Sequence, residues 1–339
     1  MKKNQKNRRY DRADADALRA SNIAASLLGT SGKRYDSVED ASVFFARELD
    51  FVKSHAYDKQ YPEFTALGLF PVSNEVDPGA ESITYYAYDK TGIAKIISNY
   101  ATDLPRADVK GEPHTAQVKS VGASYGYSVQ EMRASRMAGK NLDARKADAA
   151  RYAIDYTLNR IAWAGDDETG LQGVLSSGND VPLYVIPAGG SGKTDWNSKT
   201  AEEIMVDING MQKYTARITK NVERPDTLCL PDDVFIDIST RQIPNTGYTV
   251  AKFIMENAPY LKRIVPASEL AADSDINPYD VNCAFMFKKD PDKFTFEQPL
   301  MFYQYPVQPK NLEITVPCEA RTGGIMIYFP LSMLIAKGV

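Results

Sequence analysis

Histidine and cysteine are scarce in this chain of 339 residues. The sequence has two histidines, His55 and His114, and three cysteines, Cys229, Cys283 and Cys318. So few imidazoles leave little for a zinc site or for histidine-based acid–base chemistry. An odd number of widely spaced cysteines excludes a disulfide framework and is typical of a reducing compartment. We therefore expect the cysteines to be small buried side chains, and we expect neither a metal nor another cofactor.

Long apolar runs are also missing. The longest one, residues 325–336, contains Pro330 and Ser332. It is shorter than the roughly 20 residues that a membrane-spanning helix needs. The polar, basic N-terminus is not followed by the apolar stretch of a signal peptide. The sequence therefore predicts no membrane span and no export signal.

An excess of positive charge is absent as well. Lys and Arg total 40 against 44 Asp and Glu, for a net charge of −4, which excludes a uniformly basic nucleic-acid-binding protein. The fractions of hydrophobic (43%) and charged (25%) residues are those of a folded protein, and the length predicts about two domains. Tyrosine is abundant, with 20 residues, and it is frequent at hydrated protein–protein contacts.

One glycine-rich segment resembles a phosphate-binding loop. Residues 189–194 read Gly-Gly-Ser-Gly-Lys-Thr and follow a predicted strand. A P-loop needs a further glycine where this chain has Pro187, and its helix must begin at once, whereas the next predicted helix begins near Thr200. These departures favour a surface loop, with a nucleotide hydrolase that uses Lys193 and Thr194 as the alternative.

A second motif, Gly-Ala-Ser-Tyr-Gly at residues 122–126, matches the nucleophile elbow of serine hydrolases. In that fold the catalytic histidine follows the serine in the chain, but both histidines precede Ser124. The surrounding sequence also continues as a strand. We interpret these small residues as a place where chains approach closely, and we expect no catalytic site.

The N-terminal half has the pattern of an arm followed by strands and one long helix. Residues 1–34 are polar, and the first 12 carry six basic side chains, among them Arg8, Arg9 and Arg12. Strands are predicted at 82–88 and 116–129, and the connection between them, 89–113, is long and charged. Apolar residues at helical spacing predict a helix over 142–164.

The C-terminal half alternates between helices and strands and then turns to strands alone. A capping box at Thr200 and Glu203 begins a predicted helix. Strands are predicted at 227–230, 262–265 and 281–288, with helices at 232–240 and 249–257 between them. From residue 294 onward only strands are predicted, at 294–297, 300–305, 312–321 and 324–330.

This order of parts resembles the major capsid protein of tailed bacteriophages, whose Hong Kong ninety-seven type fold is shared with encapsulins. The resemblance extends from about residue 45 to 339. The residues that carry it are Tyr61-Pro62-Glu63, Phe70-Pro71-Val72-Ser73, Tyr88-Asp89-Lys90-Thr91-Gly92, Asp103-Leu104-Pro105-Arg106, Ala144-Arg145-Lys146-Ala147-Asp148-Ala149-Ala150-Arg151, Trp163-Ala164-Gly165-Asp166, Gly170-Leu171-Gln172-Gly173 and Arg321-Thr322-Gly323-Gly324.

The resemblance implies an α+β fold with six segments. These are an N-terminal arm (1–50), a lead-in to the peripheral domain (51–81), the extended E-loop and its strands (82–129), the peripheral domain with the spine helix 142–164 (130–199), the axial domain (200–290) and the remaining peripheral strands with the C-terminal strand (291–339).

The resemblance also implies a structural role and no enzymatic activity. The expected function is the icosahedral head shell around the double-stranded DNA of a tailed phage, assembled in the bacterial host cytoplasm and then part of the virion. The expected partners are other copies in hexamers and pentamers, portal, scaffolding and decoration proteins, and non-specifically contacted DNA. An encapsulin-like nanocompartment is the alternative. The candidates for contacts between subunits are Lys90, Lys95, Arg106, Lys110, Arg8, Arg9 and Arg12.

Overall fold

The computed structural model describes residues 63–92, 106–139 and 142–339. Within these ranges the helices are α1 (Ala66–Leu69), α2 (Val129–Ala138), α3 (Leu142–Ala164), α4 (Ala201–Ile218), α5 (Asp232–Thr240) and α6 (Val250–Asn257). The strands there are β1 (Val72–Ser73), β2 (Ser82–Thr91), β3 (Asp108–Gln117), β4 (Lys119–Ser128), β5 (Leu183–Val185), β6 (Thr227–Leu230), β7 (Arg263–Pro266), β8 (Cys283–Phe287), β9 (Phe294–Glu297), β10 (Leu300–Gln304), β11 (Gln308–Lys310), β12 (Glu313–Thr322), β13 (Gly324–Ile327) and β14 (Met333–Lys337).

The long helix α3 has the bounds that its periodicity predicts. Ala150, Ile154, Leu158 and Ala162 recur every four residues, so they lie on one side of the helix, and all four are buried. This side packs on β4 and β12. At about 1.5 Å per residue the helix is about 34 Å long. The structure has two hydrophobic cores, and the buried side of α3 packs into the first of them.

Aromatic rings fill the centre of this first core. Phe70, directly after α1, has four rings with centroids between 4.8 and 6.3 Å from its own, those of Trp163, Phe285, Phe287 and Phe294. All four approach edge-on, the arrangement that aromatic quadrupoles prefer. Phe70 thereby joins the segment before β1 to α3, β8 and β9.

A buried polar network fixes α1 against α3. The carboxylate of Glu269, which is 4% exposed, accepts hydrogen bonds from Thr65 Oγ1 and Asn159 Nδ2, both at 2.8 Å. Asn159 Oδ1 accepts the Ala66 N–H at 3.0 Å, and Trp163 Nε1 donates to Thr65 Oγ1 at 3.1 Å. Each buried polar group in the network has a partner, as burial requires.

Five strands form a sheet in the order β5-β14-β8-β6-β7, and its three central strands, β14, β8 and β6, are buried on both faces. Along β8, Cys283, Phe285 and Phe287 pack into the core that contains α3. The alternate residues Ala284 and Met286 pack into a second core beneath α4, α5 and α6. A strand that is buried on both faces has a continuous apolar sequence, which explains the run of five apolar residues in β8.

Two smaller sheets lie on the other side of the first core. β4 and β12 pair antiparallel over ten residues, from Lys119 opposite Thr322 to Ser128 opposite Glu313. β10 and β11 pair with the other edge of β12. β9 lies between β1, to which it is parallel, and β13, to which it is antiparallel.

Most of the predicted elements are confirmed. α3, α5, β6 and β9 have the predicted bounds, and α4 begins after the capping box of Thr200 and Glu203. The five-stranded sheet, however, takes in strands from outside residues 200–290. β5 and β14 join it, so residues 291–339 are divided between this sheet and the two smaller ones.

The prediction that residues 89–113 form the connection between two strands is corrected, because much of this segment is itself strand. β2 continues to Thr91 and β3 begins at Asp108, which leaves residues 92–107 as the connection. Almost every side chain in this part of both strands is exposed. A strand that buries neither face has no hydrophobic alternation, so the pattern that indicates a strand is absent.

The prediction of a strand through Val129 is also corrected, because Val129 is the first residue of α2. Ser128 caps this helix: its side chain accepts the Glu131 N–H at 3.0 Å, and the Glu131 carboxylate accepts the Ser128 N–H at 3.2 Å. The backbone hydrogen bond from Ser128 lowers the pKa of Glu131, and Lys146 lowers it further. This capping box ends β4 and turns the chain toward α3.

No helix in the described ranges is long and apolar enough to cross a bilayer.

We expect Leu158→Ala to destabilise the unassembled subunit by about 2–5 kcal/mol, because it opens a cavity where Leu158 is fully buried. The measurement is urea unfolding followed by circular dichroism. Arg160→Ala, at an exposed position of the same helix, is the control and should change stability by less than about 0.5 kcal/mol. Equal stabilities of the two variants would show that this side of α3 does not support the core.

Candidate assembly interface

β2 and β3 form a hairpin that extends away from both cores. All ten residue pairs are in register, from Ser82 opposite Gln117 to Thr91 opposite Asp108. Ten residues of strand extend over about 30 Å. Only three of these side chains, Ile83, Tyr85 and Ala116 at the base of the hairpin, are partly buried. The distal two thirds of the hairpin therefore expose both faces.

The base of the hairpin is anchored through Tyr85. Its hydroxyl donates to the Ile327 carbonyl at 3.1 Å, and its ring stacks on His114 and meets Tyr328 edge-on, with centroids 5.0 and 4.9 Å away. Burial raises the pKa of the Tyr85 hydroxyl. These contacts join the hairpin to the end of β13.

Val118 is the one residue between β3 and β4. Its side chain is buried, with 5% exposed, and its N–H donates to the Glu81 carbonyl at 2.9 Å. β3 and β4 thus run as one chain segment from the hairpin into the four-stranded sheet. Val118 thus links the hairpin to the four-stranded sheet, beside the contacts of Tyr85.

One face of the distal hairpin is aromatic. Tyr86 and Tyr88 are 62% and 70% exposed, and their rings lie 6.4 Å apart. Across the pair stand Pro113, opposite Tyr86, and Gly111, opposite Tyr88. A Cβ at residue 111 would lie 2.9 Å from the Tyr88 ring, so glycine lets this ring lie flat on the neighbouring strand. This aromatic face is a large apolar area left in water.

The opposite face of the distal hairpin carries most of its charge. Asp89 lies opposite Lys110, and Ala87 lies opposite Glu112. Asp108 follows on the same face at the far end. The two faces therefore differ in chemistry, which is what a segment needs if it is to be buried on one side and hydrated on the other.

Isolated two-stranded hairpins are marginally stable in water. Here the two chain segments remain close together beyond the last contact with the body. At the end of β2, a Cβ added to Gly92 would lie only 2.7 Å from the Cβ of Ala107. The hairpin would therefore be more stable if another protein surface covered its aromatic face.

The predicted contact residues fall in two groups. Lys90, Arg106 and Lys110 are exposed and lie together at the far end of the hairpin. Lys90 shares the face of Tyr88, whereas Lys110 is on the charged face. Lys95, Arg8, Arg9 and Arg12 lie outside the described residues.

The sequence prediction did not single out Tyr86 and Tyr88. The signal available was the excess of tyrosine together with its position at alternate residues of β2. A second tyrosine pair, Tyr303 and Tyr305, lies at the outer edge of the four-stranded sheet. Residues 298–309 around that pair contain no charged side chain, yet most of them from Met301 onward are exposed.

The P-loop-like segment 189–194 does not form a phosphate site in this structure. Gly190 N–H donates to Glu203 Oε1 at 2.6 Å, so a carboxylate of the chain itself occupies the position that a phosphate oxygen would need. This hydrogen bond lowers the pKa of Glu203. The helix α4 begins at Ala201, seven residues after Thr194. The interpretation of a surface loop is confirmed.

A buried ion pair fixes the chain after this loop. Lys199 Nζ lies 2.6 Å from Asp207 Oδ2 and donates to the Pro187 carbonyl at 2.6 Å. Trp196 Nε1 donates to the same Asp207 oxygen at 3.0 Å. Burial raises the pKa of Asp207, whereas Lys199 lowers it. The pair therefore has a structural role at the start of α4.

The second motif also lies in regular structure. Ser124 is in the interior of β4, opposite Pro317, and the chain makes no strand-to-helix turn there. All three cysteines are buried and free. Burial raises the pKa of each thiol, to about 11 at Cys283, so none is an activated nucleophile. Over the described residues there is no group of three or more metal-ligating side chains.

Solved structures similar to this one include chains from phages and from a virus-like particle. A chain from the capsid of Myoviridae phage XM1 is 15% identical, with a TM-score of 0.74 over 88% of this chain and 100% of that one. A chain of Mycobacterium phage Adephagia is 15% identical, with a TM-score of 0.60 over 89% and 98%. A virus-like particle from Pyrococcus furiosus matches at 13% identity and a TM-score of 0.51 over 80% and 91%. No curated protein sequence is significantly similar.

The sequence itself matches a family model. Residues 92–339, which include β3 to β14, α2 to α6, the whole second core and most of the first, match the family described as the major capsid protein. The expected α+β fold is thereby confirmed. The chain belongs to the major capsid protein family and has the Hong Kong ninety-seven type capsid fold.

Proposed function

We propose that this protein is the subunit of an icosahedral head shell that encloses the double-stranded DNA of a tailed phage. Family membership supports the shell, and the exposed hairpin β2–β3 is the observation that carries the mechanism. The role is structural and requires no catalysis. Assembly in the bacterial host cytoplasm, together with portal, scaffolding and decoration proteins, is part of the proposal.

The segments of the fold receive their roles within this proposal. The hairpin and β4 are the E-loop with its strands, and α3 is the spine helix. Residues 200–290, with α4, α5, α6 and β6 to β8, are the axial domain, and the two smaller sheets belong to the peripheral domain. Residues 1–50 are the N-terminal arm.

A shell of this kind is built from repeated heterologous contacts, in which one surface of a copy meets a different surface of the next. The aromatic face of the hairpin is one such surface. A second is the uncharged tyrosine-bearing edge at residues 298–309. Each contact needs only moderate strength, because a subunit that engages several neighbours gains from all of them together.

The direct test is electron microscopy of the full chain expressed in bacteria, alone and together with the scaffolding protein of the same phage. Closed shells with five-fold vertices in either case support the proposal, and a monodisperse small oligomer in both overturns it. In particles from infected cells, the proposed function also requires that the shells protect DNA from added nuclease. A protein cargo in place of DNA would support the encapsulin-like alternative.

The double variant Tyr86→Ser, Tyr88→Ser should yield folded subunits that do not close shells. Burying one large apolar side chain contributes about 1.5–3 kcal/mol, and every copy would lose two such side chains. Shell yield is measured by sedimentation and subunit folding by circular dichroism. Ala87→Ser on the opposite face is the control. Wild-type yield of the double variant would show that the aromatic face stays in water.

Arg106→Glu should also yield folded subunits with a reduced yield of shells, because Arg106 is exposed at the far end of the hairpin. Arg106→Lys keeps the charge and is the matched control. Light scattering during assembly, at low and high salt, measures the effect. Normal assembly of Arg106→Glu at all salt concentrations would show that this charge makes no contact between subunits.

Deletion of residues 2–34 should leave the subunit folded, because both described cores are built from residues 63–339. We expect the shells to be fewer or to come apart at a lower temperature, since a polar basic arm cannot fold alone and gains order only from neighbours. Differential scanning calorimetry of purified shells measures this temperature. The triple change of Arg8, Arg9 and Arg12 to Gln separates the effect of charge from that of length.

The arm prediction fails if truncated subunits assemble as well as the full chain and their shells are equally heat-stable.

A further inference from the structure

One end of the five-stranded sheet collects positive charge from three separate segments. β6 and β7 begin there and β8 ends there, with Arg263 and Phe287 both opposite Thr227. The segments are residues 220–226 before β6, 262–263 at the start of β7 and 288–293 after β8. We call these three segments the basic sheet end. They contain seven basic and four acidic residues, whereas the whole chain has a net charge of −4.

Most of the acidic residues in the basic sheet end are already paired. Glu223 Oε1 lies 2.6 Å from Lys293 Nζ. Asp226 and Asp290 lie 3.1 and 3.0 Å from the ammonium groups of Lys262 and Lys288. These pairs neutralise three lysines and use three of the four carboxylates.

The other cations have no acidic partner among the described residues. They are Lys220, Arg224, Arg263 and Lys289. The first three are exposed. The Arg224 guanidinium lies over the Tyr260 ring, 4.7 Å from its centroid, so the ring orients the cation without neutralising it.

Like charges stand close together in this cluster. Burial lowers the pKa of the Lys289 ammonium, and the positive charge of Arg263 lowers it further. Lys289 Nζ donates to the Gly68 carbonyl at 2.8 Å, which holds it in place beside Arg263. Two cations held near each other without a carboxylate destabilise the subunit unless an anion approaches from outside.

We propose that the basic sheet end binds the phosphate backbone of duplex DNA. This inference rests on the proposed function, in which the shell encloses DNA. β6 lies between β7 and β8, so Arg263 and the end of β8 are two strand spacings apart, about 10 Å. The cations therefore spread over a width that spans several phosphates. Packaged DNA presents phosphates in every register, and exposed cations without fixed partners can meet it in any of them.

An acidic surface on a second copy would also match this charge. DNA is favoured because the proposed shell encloses a duplex whose closely spaced phosphates can meet Lys220, Arg224 and Arg263 wherever each of them lies, without a carboxylate placed for each cation. The binding expected is non-specific in sequence, because contacts to phosphates carry no sequence information.

The experiment measures binding of unassembled full-length subunits to a fluorescein-labelled duplex of about 30 base pairs, at several salt concentrations between about 50 and 200 mM. The variant combines Lys220→Gln, Arg224→Gln and Arg263→Gln. Each lost phosphate contact reduces the slope of log affinity against log salt by about 0.9. We expect the slope to be less steep by about 2–3 and the affinity at low salt to fall at least tenfold.

A matched control removes three exposed cations elsewhere, through Arg133→Gln, Arg136→Gln and Arg160→Gln on α2 and α3. This control should bind the duplex like the wild type. Circular dichroism checks that both variants are folded. An equal loss of affinity in the control would overturn the assignment, since binding would then follow total charge alone.

The inference and the proposed function fail separately. If wild-type shells form and protect DNA while the triple variant binds the duplex as tightly as the wild type, the basic sheet end is not the DNA surface. If that variant keeps its duplex affinity but no longer assembles, the surface contacts a second copy and the DNA assignment is overturned. Failure of the wild type to form shells would overturn the proposed function instead.

Discussion

Burial of the central strands β14, β8 and β6 on both faces is the constraint on which the rest of this structure depends. Successive residues of β8 and β14 enter opposite cores, so neither core is complete without the same strands. Helix α3 lies in one core, and α4, α5 and α6 cover the other. A substitution in these strands therefore affects two packing environments at once, and the described body gains its cooperativity from this shared layer.

The hairpin has the opposite energetic character. It is fully paired in its backbone and nearly bare in its side chains, so its stability comes from hydrogen bonds and from the anchor at Tyr85. An element of this kind gains most of its favourable energy after the subunit has folded, when its aromatic face meets another surface. In the proposed assembly, stability of the body and stability of the contacts between copies would thus depend on different parts of the chain.

The elements that could be predicted from the sequence are those whose burial follows a regular period. α3 has apolar residues at helical spacing, and β9 alternates between core and sheet neighbours, so their bounds were predictable. β14 was missed because its continuous apolar run followed another strand and its partner strands are distant in sequence. The far parts of β2 and β3 were missed because exposed strands carry no such period.

The candidate site could be located only in part from the sequence. The length and charge of residues 89–113 indicated a protruding segment, and Lys90, Arg106 and Lys110 do lie together on it. The importance of Tyr86 and Tyr88 depends on which residues share a face of the pair, and that depends on register. The basic sheet end was beyond reach, because its three segments are adjacent only through the strand order of the sheet.

The single buried residue between β3 and β4 has a mechanical consequence. Val118, its hydrogen bond to Glu81 and the contacts of Tyr85 attach the hairpin to the body at its base, whereas the far end of the hairpin lies about 30 Å away along the strands. A small rotation at the base of the hairpin would displace its far end by several ångströms. A force on the far end would in turn act on β4, because β3 continues into β4 through Val118. Within the proposed shell, a change of angle at the base of the hairpin would thus let contacts with neighbouring copies vary while the cores keep their packing.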